Sequence, residues 1–560
     1  MPEYSRRAFL STTAAAVSST MLSKLAIAQP LQDPVLNTTM KDGKPVTREQ
    51  VSWKVLPFSL KQVRLGDGPC KQAMEADRRY LLSLPPDRLL HTFRLNAGLT
   101  SSAEPLGGWE KPDCELRGHY AGGHYLSACA LMYASTGDED LKKNANTVVS
   151  GLGQCQTALK SGYLSAFPVE FFDRLRERKE VWAPFYTMHK IMAGLLDMYI
   201  YCGNDQALDM VQKMAAWVDL YTYPLSYEHM QRVLGTEYGG MGEVLANLYA
   251  ITGNQHYVKI AQRFDKKWFF DPLAGHRDEL KGLHVNTHIP QVIAAARLYE
   301  LTGQRHYREI AQYFWDEVVT ERSYCTGGTS NRESWNTDPG KLAAELGPTT
   351  TECCCAYNMM KLTRHLFGWN PDARFMDYYE RVLFNHRLGT INPEDGTMMY
   401  YLPLASGYWK TFGTQLDAFW CCTGTGSEEY AKLVDTIYFH DDNSLYVNLY
   451  IASQLDWNDK GLKFNQQTRF PEEQGTTITL TADRPTELAI HLRIPYWTQR
   501  GNVKINGTAL PAFSNPGSYL SLNRVWKSGD KIELNLPMTL HMEPMPDDET
   551  IQAAMYGPLV

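Results

Sequence analysis

Tyr199-Ile200-Tyr201-Cys202-Gly203-Asn204, Tyr249-Ala250-Ile251-Thr252-Gly253-Asn254 and Tyr299-Glu300-Leu301-Thr302-Gly303-Gln304 are three copies of one signal, set 50 residues apart. Each closes an apolar helical run, and a looser version, Tyr133-Ala134-Ser135-Thr136-Gly137-Asp138, closes an earlier one. The glycine falls where a helix C-cap is expected, because it takes a left-handed backbone without a Cβ clash. A second helical stretch follows, as at residues 255–264 and 305–318. The unit is a helical hairpin of about 50 residues, and one such hairpin cannot bury its apolar face alone. Hairpins of this kind stack into an open solenoid or close into a toroid. Closure is preferred here, since the reactive motifs lie in irregular segments between helices and a ring lets those segments converge on one mouth. The expected class is mainly α with appended β: an (α/α)6 barrel over residues 70–435, followed by a β-sandwich.

The sandwich reading starts near residue 436. Stretches 444–451, 476–481, 487–494, 502–505, 519–522 and 531–536 have strand-like composition or alternation. Asn506-Gly507 and Ser528-Gly529 are turn signals between them. The chain ends on apolar Met555-Tyr556-Gly557-Pro558-Leu559-Val560, which reads as a truncated sandwich with an open edge. At the other end, residues 51–69 are expected to supply strands packing with the sandwich, and 29–50 read as a polar linker.

Ser5-Arg6-Arg7-Ala8-Phe9-Leu10 is a twin-arginine export pattern, and Ala26-Ile27-Ala28 is an A-x-A cleavage site. Residues 1–28 are therefore expected to be removed and the protein to be periplasmic or secreted. No later run reaches the length of a membrane span. A net charge of −7 removes the basic footprint that nucleic-acid binding needs. Thirteen Trp and 32 Tyr suit stacking on sugar rings, and core packing equally.

Two cysteine clusters lie about 66 residues apart: Thr351-Glu352-Cys353-Cys354-Cys355 and Phe419-Trp420-Cys421-Cys422-Thr423-Gly424. Adjacent cysteines bridge poorly to each other. Vicinal thiols beside a carboxylate suit a tetrahedral Zn²⁺, with Glu352, Cys354, Cys421 and Cys422 as the four ligands. A thiol on zinc is deprotonated and so is a nucleophile at neutral pH. The other reading of the same residues is a set of buried free cysteines behaving as small hydrophobes. Export of a folded protein would deliver such a zinc site already loaded.

His189, in Phe185-Tyr186-Thr187-Met188-His189, and His288, in His284-Val285-Asn286-Thr287-His288, begin apolar helices at comparable points of successive hairpins. His119 and His124 lie in a similar place. Each can donate to a sugar hydroxyl at a barrel mouth, or serve the structure alone. Glu333 sits in the Gly-rich loop Thr326-Gly327-Gly328-Thr329-Ser330-Asn331-Arg332-Glu333, 19 residues before Glu352. A loop beside a metal ligand can position a general acid, although a loop carboxylate is ordinarily just exposed. Gly424-Thr425-Gly426-Ser427 lacks the lysine of a phosphate cradle, so a nucleotide role is not expected.

Together these motifs resemble glycoside hydrolase family 127, the β-L-arabinofuranosidase group. The resembling stretches are 116–126, 184–196, 286–294, 327–335, 352–366 and 419–428, above all Glu352-x-Cys354-Cys355-x-Tyr357-Asn358-Met359 and Trp420-Cys421-Cys422-x-Gly424-x-Gly426. The resemblance implies a zinc-dependent retaining hydrolase with Glu352, Cys354, Cys421 and Cys422 on the metal. It implies Cys421 as nucleophile, Glu333 as acid/base, and His189 and His288 touching a carbohydrate substrate. Cys353 fills the x of E-x-C, which leaves the choice within Cys353–Cys355 open. A polysaccharide lyase on the same architecture, or a non-catalytic glycan-binding protein with structural zinc, are the competing readings.

Overall fold

The computed structural model describes residues 39–41, 44–46, 48–511 and 513–560. The expected export signal, 1–28, lies outside them, as does most of the stretch read as a linker. Within that stretch Thr39–Lys41 pairs antiparallel with Lys44–Val46.

Twelve of the large domain's helices form two concentric layers, with shorter helices in the connections: α1 (Pro69–Ser83), α2 (Tyr125–Thr136), α3 (Glu139–Leu159), α4 (Pro184–Cys202), α5 (Asp205–Thr222), α6 (Met241–Thr252), α7 (His256–Gln262), α8 (Val285–Thr302), α9 (Arg305–Glu321), α10 (Cys353–Trp369), α11 (Ala373–Val382) and α12 (Cys421–Tyr430). The even-numbered six touch in the order α2–α4–α6–α8–α10–α12 and back to α2, a closed ring. Each odd-numbered helix packs outside one of them, with α1 backing α12.

The sequence dictates this sorting. Helix α8 buries 15 of its 18 residues, so it is apolar nearly all round and must sit inside. Helix α9 buries only Tyr307, Ile310, Ala311, Phe314, Trp315 and Val318, one stripe at helical spacing, and covers the ring from outside. The repeated glycines end α2, α4, α6 and α8 in the left-handed conformation, with φ of 80°, 70°, 75° and 68°. Those caps therefore all lie at one end of the ring, and the helix N-termini lie at the other.

Beyond Tyr430 the chain forms two sheets. The five-stranded sheet runs Ser518–Trp526, Thr486–Ile494, Ser444–Val447, Tyr438–His440, Leu56–Pro57. The seven-stranded sheet runs Thr508–Ala509, Asn502–Ile505, Lys531–Asn535, Gly475–Ala482, Leu462–Gln467, Ser453–Trp457, Val63–Leu65. The N-terminal segment thus gives one edge strand to each sheet. Asn506 (φ 52°) and Gly507 (φ 80°) make the two-residue turn between paired Ile505 and Thr508. A last hairpin joins Leu540–Met545 to Asp548–Tyr556. Buried Arg493 ties the sandwich to the ring through Asp377, at 2.5 Å, and through Glu380 on α11. No helix among the described residues is long and apolar enough to cross a membrane.

Candidate active site

Both cysteine clusters open inner helices. Glu352 is the N-cap of α10, Cys353–Cys355 fill its first turn, and Cys421-Cys422 begin α12. Helix N-termini present unpaired N–H groups and a positive partial charge, which favours thiolate over thiol. Neighbouring α10 and α12 bring the clusters together. The ligand atoms of Glu352, Cys354, Cys421 and Cys422 all lie within 4.8 Å of one another, and all four residues are buried. Cys421 Sγ is 3.9 Å from Cys422 Sγ and 3.8 Å from Glu352 Oε1, while Cys422 Sγ is 3.9 Å from that oxygen. A tetrahedron with ~2.3 Å Zn–S bonds has S···S edges of ~3.8 Å. The 3.1 Å separation of Cys354 and Cys422 is shorter than such an edge.

These four groups fit a divalent metal by their chemistry. All can be anionic, and burial together with the Cys421 and Glu333 charges pushes the Glu352 carboxyl well above its usual range. Buried like charges persist only with a counter-ion. Burial alone would raise the Cys421 thiol, but hydrogen bonding with Cys354, Cys422 and Tyr400 outweighs it and holds Cys421 well below an ordinary thiol. Cys355 instead hydrogen-bonds the other Glu352 oxygen at 3.3 Å. Cys353 is anchored through its backbone N–H to the Tyr400 carbonyl at 2.9 Å.

Glu333 reaches this cluster from the loop before α10. Ser330, Arg332 and Glu333 have φ of 87°, 47° and 66°, a left-handed backbone that non-glycine residues adopt only when held there. The Glu333 carbonyl accepts from Val285 N at the start of α8, at 2.7 Å, and Ser330 Oγ accepts from Glu352 N at 3.1 Å. The Glu333 carboxylate lies 3.6 Å from His284 Nε2 and accepts a hydrogen bond from the Tyr400 hydroxyl. That hydroxyl is also 3.4 Å from Cys421 Sγ. Pairing with His284 holds the Glu333 carboxyl below its usual range against the effect of burial. Burial would lower the His284 imidazole, but Glu333 and Glu237 raise it. The raised imidazole and the lowered carboxyl are two sides of one favourable pairing.

The model of the GH127 β-L-arabinofuranosidase catalytic domain matches residues 62–435, and that of the GH127 middle domain matches 444–538. The chain belongs to glycoside hydrolase family 127. A GH127 β-L-arabinofuranosidase from Geobacillus stearothermophilus T6 has the same fold, with 20% identity, a TM-score of 0.70, and 89% of this chain and 85% of that one covered. A second structure, described as a GH127 β-arabinofuranosidase, gives 19% identity and a TM-score of 0.72 over 90% of this chain and 85% of its own. A search of curated proteins finds no match.

In this family 127 glycoside hydrolase the histidines divide. His189, in the first turns of α4, accepts from Gly240 N at 3.1 Å and lines an interior cavity of the ring with Lys190, Asp197, Glu243, Lys361 and Glu428. His288 does not meet the cluster: it lies one helical turn below His284, its ring against Phe269 at 4.5 Å and Trp268 at 5.8 Å. His284, at the N-cap of α8, is the one beside Glu333. His124 Nδ1 pairs with Glu428 at 2.6 Å, and His119 lies 3.2 Å from Glu110, whose carboxylate also accepts the N–H groups of Gly118 and Tyr120 at 2.7 Å. Tyr400 and His284 are site residues that the sequence reading did not single out. The one available signal was the His284-x-x-x-His288 pair, which offers two candidates a turn apart.

Proposed function

We propose that the protein is a zinc-dependent retaining β-L-arabinofuranosidase acting on plant glycans or glycoproteins, with Cys421 as nucleophile and Glu333 as acid/base. The observation that carries this reading is the Tyr400 hydroxyl, which contacts both Cys421 Sγ and the Glu333 carboxylate. Nucleophile and acid are thus separated by the width of one hydroxyl, a short spacing that supports the retaining reading.

Glu352, Cys354, Cys421 and Cys422 would hold zinc, which when bound keeps the thiolate deprotonated and oriented. The Cys421 sulfur attacks the anomeric carbon, the C–O bond breaks, and the leaving oxygen takes a proton from Glu333. Glu333 carries this proton when substrate is bound, with His284 Nε2 3.6 Å from its carboxyl. Glu333 then takes a proton from water, the hydroxide adds to the anomeric carbon, and the C–S bond breaks to return the thiolate. The twin-arginine pattern extends the reading to export of the folded, loaded protein.

The test is hydrolysis of an aryl β-L-arabinofuranoside followed by NMR. The expected result is arabinose released first as the β anomer. Release of an unsaturated product absorbing in the ultraviolet, or saturable glycan binding without sugar release, would overturn the reading.

A further inference from the structure

Three tryptophans from three separate loops meet beside the cysteines. Trp109 stands edge-on to Trp182, with ring centroids 5.1 Å apart at 75°, and to Trp420, at 5.8 Å and 80°. Trp420 directly precedes Cys421. Trp109 packs on the small apolar cluster that contains Cys421 and Cys422 and is separate from the main core. Its loop is brought in by Gly107-Gly108: a Cβ on Gly107 would meet Asp417 at 2.5 Å, and one on Gly108 would meet Phe419 N at 2.7 Å. No other residue allows that approach.

Trp182 is the outer member and remains 45% exposed. Exposure here does not follow from a loose loop. Its backbone N–H donates to Glu115 at 2.7 Å, Glu115 pairs with Arg174 at 2.7 Å, and the next residue, Ala183, is buried in the cysteine-containing cluster. The backbone is pinned while a large apolar ring is left half in water, which marks a binding surface rather than a core position.

We propose that Trp182, with Trp109 and Trp420 behind it, is the subsite for the leaving-group sugar, whose C–H face stacks on the indole. This rests on the arabinofuranosidase reading above. The wall runs outward from the nucleophile, and whatever the substrate extends beyond the buried cluster is the part that leaves. The occupant is therefore the sugar unit bonded to the released residue.

The test uses the metal-loaded enzyme, methyl β-L-arabinofuranoside, whose leaving group has nothing to stack, and a disaccharide carrying the same terminal sugar. Trp182→Ala should raise KM for the disaccharide about tenfold. It should leave kcat/KM for the methyl glycoside unchanged, and Trp182→Phe should restore most of the loss. In Glu333→Gln protein, which keeps all four metal-binding side chains, the disaccharide should quench tryptophan fluorescence, and Trp182→Ala should remove that quench. Equal losses on both substrates, or no loss on either, would overturn the subsite. A parent enzyme that hydrolyses neither substrate refutes the arabinofuranosidase reading itself, a result separable from an active parent indifferent to Trp182.

Discussion

The two ends of the helical ring both bury charge, and they handle it in opposite ways. At the end where the glycine caps lie, Glu300 is fully buried and fully satisfied. It accepts from Arg297 at 2.8 Å, His365 at 2.7 Å, Trp53 at 2.8 Å and Trp369 at 3.0 Å. Arg297 also pairs with Glu49 at 2.9 Å. At the mouth, Glu352 and three cysteines are gathered just as tightly; His284 lies within 4.8 Å of Glu352, but no arginine or lysine among the described residues forms an ion pair with that carboxylate. A closed network of opposite charges holds structure together. A closed network of like charges is an expense that makes sense only with a cation to bind.

That contrast can be broken by mutation. The largest effect is expected at the mouth: Cys421→Ser should cut hydrolysis by about 10⁴-fold or more, measured as kcat/KM on an aryl glycoside. Glu333→Gln should follow, costing about 10²–10⁴-fold on natural glycosides and far less on aryl glycosides whose leaving group needs no proton. At the far end, Glu300→Gln should lower unfolding stability by ~3–5 kcal/mol while kcat/KM of the folded protein stays near the parent value. The sign with pH is fixed: burial would raise the Glu300 carboxyl, but His365 and Arg297 bring it from 4.5 to about 2. A depressed carboxylate stabilises above its ordinary value and loses that contribution as pH falls, so the gap between parent and variant should shrink in denaturant melts between pH 4.5 and 2.

The smallest expected effect sits between the poles of the comparison. Removing the Tyr400 hydroxyl in Tyr400→Phe should cost about tenfold in kcat, because the hydrogen bond it gives to Glu333 is charge-assisted. The basic limb of the kcat/KM profile should lie above the ordinary imidazole value of 6.5, since Glu333 and Glu237 raise His284 against the effect of burial. As pH climbs through that raised value the proton is lost and the rate falls. His284→Gln should abolish this limb.

Much of the fold was readable because its signals are local. The Tyr…Thr-Gly ends are helix caps whatever the surroundings, and ring closure followed from where the reactive motifs fall. Strands Ser453–Trp457 and Leu462–Gln467 escaped notice for a physical reason. Their inward faces include Ser453, bonded to Tyr438 and Ile451, and Gln466, bonded to the carbonyls of Leu449 and Ile451. Buried polar residues with partners blunt the alternation that marks a strand. At the site, Glu352, Cys354, Cys421 and Cys422 stand out because acidic and vicinal thiol residues are rare neighbours. Tyr400 left no trace, since it sits in an irregular segment and its role comes from what folding brings to its hydroxyl. His284 and His288 share one motif, and only the path of the Glu333 loop decides which of them meets the carboxylate.

The most direct test of the central claim is metal content. Protein purified without added metal should contain one zinc per chain by inductively coupled plasma mass spectrometry, and Cys354→Ser/Cys422→Ser should contain none. Folded, active protein with no stoichiometric metal, or full zinc in the double variant, would contradict it.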